Sequence, residues 1–301
     1  IWYTGMEARG ESSVLVNGRD IPLSVYLDQD PALLTGHSEV LLLKVLDPKP
    51  DEVLGDLYFE VHEEKQEVYI VTHIDTAAWP DGIGGIRYGM SQEKRRQHTN
   101  DDAFRAAYLR TVQQYEQLRR QIDELGAAVS ETAERAARAA MDEFAHVRKL
   151  RVGDVVRVPT WTPHSLMHGV RVVEFQTPTY ERYIISFAQQ VLTQDHWDSA
   201  HAIANMQVDT PAAEVLEEVR AGVERIARFD DFNVWRVDLD ACETLSLPAH
   251  IPYAVCMCLT AATRIGALEL HPEQACFVPR AALPGTSISG RGRLLIAAPG
   301  L

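Results

Sequence analysis

The sequence predicts a mainly β chain with helical insertions, and three observations carry that prediction. Short apolar runs alternate with turn residues towards both ends of the chain, as in Ser13-Val-Leu-Val-Asn-Gly and Ala275-Cys-Phe-Val-Pro. The stretch Gly55 to Glu67 has the period of a pleated strand, which puts Tyr58, Glu60 and His62 on one face and Phe59 and Val61 on the other. The period of a helix is confined to Thr99–Ala145 and Pro211–Phe229.

Bulk properties bound the answer. At 301 residues the chain exceeds one ordinary domain and fits two compact units or one enlarged one. A hydrophobic content of 46% supports a sizeable core. No apolar run approaches the roughly 20 residues of a membrane helix. No signal-peptide pattern stands at the start, so a cytoplasmic protein without a membrane partner is expected. A net charge of −14 without a basic stripe argues against a nucleic-acid surface. Cys242, Cys256, Cys258 and Cys276 have no zinc-ribbon spacing and read as reduced, mostly buried thiols.

In chain order, Asn17-Gly18 between two apolar segments signals a hairpin. Leu41-Leu-Leu-Lys-Val-Leu-Asp reads as a buried strand. Trp79-Pro-Asp-Gly-Ile-Gly-Gly-Ile-Arg-Tyr-Gly reads as a glycine-rich loop; it either connects strands or cradles a phosphate, and the missing Lys-Ser/Thr sequel favours the connector. Thr99-Asn-Asp-Asp caps a helix whose apolar stripe is Val112, Tyr115, Leu118, Ile122, Leu125 and Val129. Gly126 and Ser130 break it, and Ala133–Phe144 forms a second helix. Arg119, Arg120, Arg135 and Arg138, interleaved with acids, read as a solvated face. This insertion either packs as a roof on the barrel mouth or offers a homodimer surface. Pro211–Phe229 reads as a helix striped by Ala213, Val215, Leu216, Val219, Val223 and Ile226. From Asn233 onward short strands return.

Candidate chemistry lies in two stretches. After the strand bearing Glu60 and His62, a turn leads to a second strand that Glu67 opens, so the three side chains can converge from neighbouring strands. One imidazole and two carboxylates suit zinc or another divalent first-row ion better than calcium. The second stretch, Gly153 to His164, reads as a strand, a proline-ruled loop and a histidine on the following strand, which supplies a fourth ligand. His73 reads as a hydrogen-bonded structural histidine, His168 as lying outside the metal sphere, and Tyr58 and Trp161 as lining the barrel mouth or core.

These two stretches resemble the paired motifs of the cupin barrel, and in detail those of the type I mannose-6-phosphate isomerases. The resemblance rests on Glu60-Val61-His62, Lys65-Gln66-Glu67, Pro159-Thr-Trp-Thr-Pro-His164 and Val172-Val173-Glu174, in that order. The strand at Leu41–Asp47 and the segment Thr179-Tyr-Glu-Arg182-Tyr, with Glu181 as an extra residue, extend it. Glu60 stands where that family has glutamine. The resemblance implies a cupin (jelly-roll) barrel over 1–90 and 150–200, interrupted by the helical insertion 91–149. A connecting helix over 201–230 then leads to a smaller, metal-free jelly-roll lobe over 231–301. It implies Zn²⁺, or Mn²⁺, Fe²⁺ or Co²⁺, on Glu60, His62, Glu67 and His164, with Arg182, Lys65 and Glu174 as catalytic residues.

The implied activity is aldose–ketose isomerisation of a sugar or sugar phosphate, mannose 6-phosphate to fructose 6-phosphate, through an enediolate. Arg182, Lys65 and Arg87 are the cations available to a phosphate. Competing expectations are an isomerase of an unphosphorylated sugar, a histidine-richer cupin dioxygenase, and a non-catalytic sugar-binding cupin.

Overall fold

A computed structural model describes residues 1–7, 10–34, 39–52, 54–123, 126, 130–186, 197–242 and 244–300. The chain is mainly β, as expected. Its first sheet pair faces two antiparallel layers towards each other. One has strand order Leu42–Leu46, Val170–Gln176, Glu67–Ile74, Val155–Val158; the other Tyr183–Ser186, Phe59–Val61, His164–Leu166, Gly84–Met90, Ala145–Leu150. Pairing the middle of the chain with residues before and after it closes the barrel that holds the candidate residues.

Side-chain alternation sorts each strand into two environments. On strand Glu67–Ile74, Tyr69 and Val71 point into the barrel beside Ile86, Tyr88, Val156, Leu166, Val170 and Val172. Val68 and Ile70 point the other way, into a core shared with Phe232, Val234, Tyr253, Val255 and Leu295 of the following sheet. The two lobes are therefore joined by apolar burial, at roughly 25 cal/mol per Å² removed from water. The second lobe stacks a six-stranded sheet, from Glu217–Arg220 at one edge to Ala275–Pro279 at the other, on a four-stranded one. Between them lies an apolar core against or within which all four cysteines sit as free thiols.

The hairpin at Asn17-Gly18 forms, with both residues at positive φ (50° and 76°) and Val16 paired with Arg19. Helix Asp101–Asp123 starts where Asn100 Oδ1 accepts the Ala103 N–H at 2.8 Å. Helix Glu131–Asp142 starts where Ser130 Oγ accepts the Ala133 N–H at 3.2 Å. The buried stripe of the long helix is Phe104, Tyr108, Val112 and Tyr115, packed with Phe59 and Val61 on the outer face of the barrel. Leu118 and Ile122 are only partly covered, while Leu125 and Val129 lie outside the described residues. Arg119 is a correction: it is buried rather than solvated, paired with Asp123 and lying 3.9 Å from Glu134.

Two further expectations fail. Pro211–Phe229 is not a helix: Glu217–Arg220 and Val223–Arg228 pair as antiparallel strands around Ala221-Gly222, with Gly222 at φ 75°. The helical stripe was a coincidence of apolar spacing, since Val215 is 85% and Val219 52% exposed. The helix between the lobes is Ser199–Asn205 instead. The second correction is Gly84-Gly85, which opens a strand and not a loop. A Cβ on Gly84 would meet Val170 Cγ2 at 2.4 Å, so that glycine serves packing inside the barrel. The end of the expected insertion, Ala145–Leu150, is likewise a strand. Among the described residues no helix is long and apolar enough to cross a membrane.

Candidate metal centre

Strand Phe59–Val61 packs Phe59 and Val61 against the helices, so Glu60 must turn inward, and His62 follows just beyond the strand. Glu60 lies directly across from His164 in the register. Glu67, first residue of its strand, comes in from the facing sheet on the same inward side as Tyr69 and Val71. The turn between the two strands is held by Glu181, whose carboxylate accepts the N–H groups of Glu63, Glu64 and Lys65 at 2.5, 2.7 and 3.1 Å.

The result is a buried cluster. One ligand atom each from Glu60, His62 and His164 lies within 4.8 Å of the other two. Glu67 falls outside that group but touches both imidazoles, 3.6 Å from His62 Nε2 and 3.2 Å from His164 Nε2. It is also held by Lys65 Nζ at 2.6 Å and the Tyr69 hydroxyl at 2.5 Å. The Nδ1–H of His164 donates to the Thr162 carbonyl at 2.9 Å, so Nε2 is the ring nitrogen that faces the cluster.

The electrostatics of the cluster follow from burial and from its neighbouring charges. Burial pushes the His62 imidazole well below its ordinary range, so it is neutral and able to ligate. Burial would raise Glu67, but the neighbouring charges, Lys65 foremost, hold it well below the usual carboxylate range. Since His62 is neutral, Lys65 and His164 carry that effect. Burial raises Glu60 despite the Lys65, His164 and Arg182 charges. Burial lowers His164, yet Glu67 and Glu60 outweigh it and raise the imidazole. Both nitrogens of His62, His164 Nε2 and Glu60 Oε2 are buried without a hydrogen-bond partner. Buried polar atoms are rarely left so, and two imidazoles with two carboxylates are a donor set that a divalent ion such as zinc accepts. These residues fit a metal.

Beside the cluster stands a second buried polar group. Glu174 faces Lys44 and Tyr69 across its two neighbouring strands, with Lys44 Nζ 3.2 Å from its carboxylate. Burial, eased by Lys44, raises the Glu174 carboxyl to about 7. Lys44 also bonds Gln176 and lies over the Trp2 ring. Lys44 is not among the candidates that the sequence motifs single out. Its signal was a lone cation at an inward position of an otherwise apolar strand.

The remaining candidates separate. Arg182 lies at the cluster, Nε 3.6 Å from Glu60 Oε2, with its guanidinium 4.5 Å from the Tyr58 ring centre. Arg87 does not: it is buried between Asp56 at 2.7 Å and Asp142 at 3.3 Å. His168 bonds Asp56 at 2.6 Å and stacks on Trp79. His73 is exposed, opposite Arg171 in the register. Trp161 stacks on Tyr183 at 5.9 Å, and both pack with Tyr58 against the helix-side core.

No protein-family model matches this chain, and no curated protein matches it by sequence. Solved structures do match in fold. Mannose 6-phosphate isomerase from Bacillus subtilis aligns with a TM-score of 0.68 and 17% identity, over 98% of this chain and 88% of that one. A point mutant of phosphomannose isomerase from Salmonella typhimurium aligns with a TM-score of 0.70 and 16% identity, over 100% and 90%. A zinc-bound mannose 6-phosphate isomerase aligns with a TM-score of 0.70 and 15% identity, over the same shares. Over its whole length, therefore, the chain shares the cupin architecture of the type I mannose-6-phosphate isomerases.

Proposed function

We propose that this chain is a divalent-metal-dependent aldose–ketose isomerase, with mannose 6-phosphate and fructose 6-phosphate as its substrate pair. The observation that carries the reading is the cluster of Glu60, His62 and His164, with buried nitrogens left without partners and Glu67 in reach of both rings. In this reading Glu60, His62, Glu67 and His164 hold the ion, Zn²⁺ or Mn²⁺, Fe²⁺ or Co²⁺. When bound, the ion supplies Lewis acidity to a sugar carbonyl.

The chain's own residues supply the rest. Aldose–ketose exchange moves a proton between adjacent carbons, so it needs a group that takes and returns a proton near neutral pH. Glu174, raised to about 7 by burial, is matched to that task. Lys44, at 3.2 Å, fixes its carboxylate. Lys65 and Arg182 bring positive charge to the pocket, where they stabilise the enediolate that forms as the proton leaves. The barrel base of Val71, Ile86, Val156, Leu166 and Val172 keeps water out beneath them.

One observation favours a second substrate reading. Lys65, Arg87 and Arg182, the cations that the sequence offers to a phosphate, each lie within ion-pair distance of a carboxylate, and Arg87 lies away from the cluster. A sugar without a phosphate makes no demand on them. Metal-loaded protein assayed for ketose formation from mannose 6-phosphate, mannose and lyxose separates the two. Turnover of the phosphate ester supports the first reading, and turnover of free sugar alone the second. Failure on all three, with Glu67→Ala leaving metal content unchanged, removes the isomerase reading.

A further inference from the structure

The pairing of Arg182 with Glu60 has consequences beyond charge balance. Glu60 is a metal-ligand candidate on one side and the partner of a guanidinium on the other. Its Oε1 lies 3.7 Å from His62 Nε2, while its Oε2 lies 3.6 Å from Arg182 Nε. The second contact is loose, because Oε2 is buried yet makes no hydrogen bond. Arg182 also lies over the Tyr58 ring, its guanidinium carbon 4.5 Å from the ring centre, a contact that survives rotation of the N–H donors. It is also partly open, at 28% side-chain exposure, whereas Lys65 and Lys44 are nearly enclosed at 8% and 11%. Of these three cations, Arg182 is the least enclosed.

We propose that Arg182 is an exchangeable counter-ion of Glu60, so that a divalent cation and an anionic ligand bind this pocket with positive coupling. The proposal rests on the metal reading above. A cation drawn onto Glu60 takes over its negative charge and frees Arg182 for an anion. An anion that engages Arg182 withdraws it from Glu60 and improves the site for the cation. By linkage the two effects are equal in magnitude. Arg182 thereby couples the two ligands, and the phosphate of a sugar phosphate is the anion class it fits.

The test uses the metal alone and inorganic phosphate as probes. Mn²⁺ affinity of the full chain is measured by the electron paramagnetic resonance signal of free Mn²⁺, with and without phosphate, in wild type, R182A and R182K. In wild type, phosphate tightens Mn²⁺ binding by about five-fold or more. R182A binds Mn²⁺ more tightly than wild type without phosphate, because a competing charge is gone, and phosphate then changes little. R182K keeps part of the coupling. Equal Mn²⁺ affinity with and without phosphate in wild type overturns the proposal. Coupling that persists in R182A does so too, since phosphate then sits on the cation itself. Weaker Mn²⁺ binding in both variants makes Arg182 a plain structural support. If wild type binds no Mn²⁺, or if binding survives H62A, the metal reading itself has failed, which is a separate result.

Discussion

The two lobes are built alike and filled differently. Each stacks antiparallel sheets around a core, yet inside the first lobe an apolar base is topped by Lys44, Glu60, His62, Glu67, His164, Glu174 and Gln176. Among the described residues after Ser199, Thr263 and the Tyr253 hydroxyl are the only buried polar side-chain groups outside the cysteines. His250 and His271 of the second lobe are exposed. Burying an ionisable group costs stability unless a partner compensates. The first lobe accepts that cost at Lys44, His62, Glu67, His164 and Glu174, and the second lobe packs Leu294, Ile296, Val278 and Ile288 between its sheets. Architecture is common to both, and chemistry belongs to the side chains of one.

The strongest way to break this comparison is to remove an imidazole. His62→Ala and His164→Ala are each expected to lower divalent-metal affinity by at least about 100-fold, beyond the loss typical of outer partners. His250→Ala and His271→Ala are expected to leave it unchanged. Bound zinc measured by mass spectrometry on dialysed protein decides between these outcomes. Retention of full zinc by either first-lobe variant would remove the contrast.

The converse experiment sharpens it. Leu294 is fully buried in the second lobe, and Leu294→Ala is expected to cost about 2–5 kcal/mol of stability. Metal affinity below the unfolding transition should not change. Denaturant melts paired with a zinc titration measure both quantities on one sample.

This asymmetry was partly legible in the sequence. Glu60, His62, Glu67 and His164 could be read because strand alternation fixes which residues share a face, and they do meet inside one barrel. The Asn17-Gly18 hairpin was legible because few residues accept positive φ at two successive positions. What failed was long-range. Val215 and Val219 fit a helical stripe, but Gly222 and pairing with Phe232–Asp238 made the segment sheet. Arg119 looked solvated because its partner Glu134 lies on another helix. Arg87 reads as open to a phosphate in the sequence because the residues that enclose it, Asp56 and Asp142, are distant along the chain. Glu181 reads as an extra residue in the sequence because the turn it caps, at Glu63–Lys65, lies more than a hundred residues before it.

A smaller effect follows from Glu174. Its carboxyl has an ordinary value of 4.5 and rises to about 7 through burial. The folded state therefore binds its proton more tightly than the unfolded state does. That stabilisation is fully present below pH 4.5 and is lost as pH rises through about 7. Glu174→Gln is expected to flatten this window in metal-free protein by on the order of 1–3 kcal/mol. Unfolding midpoints across the window, wild type against variant, test it, and no counterpart should exist in the second lobe. Parallel profiles would mean that Glu174 titrates in the ordinary carboxylate range.

The smallest effect tests whether the first lobe's outer coat is separable from its interior. Asn100 accepts the Ala103 N–H and starts the long helix, whose Phe104, Tyr108, Val112 and Tyr115 cover the strand that carries Glu60. The cap is exposed, so its loss removes one hydrogen bond without opening a cavity, and Asn100→Ala is expected to cost about 1 kcal/mol. Zinc affinity should stay level, because Glu60 is placed by its own register with His164 and Ile184 rather than by the helix end. A fall in zinc affinity alongside the lost stability would show that the helical coat sets the angle of the Glu60 strand. The polar interior of the first lobe would then depend on a surface element for which the second lobe has no equivalent among its described residues.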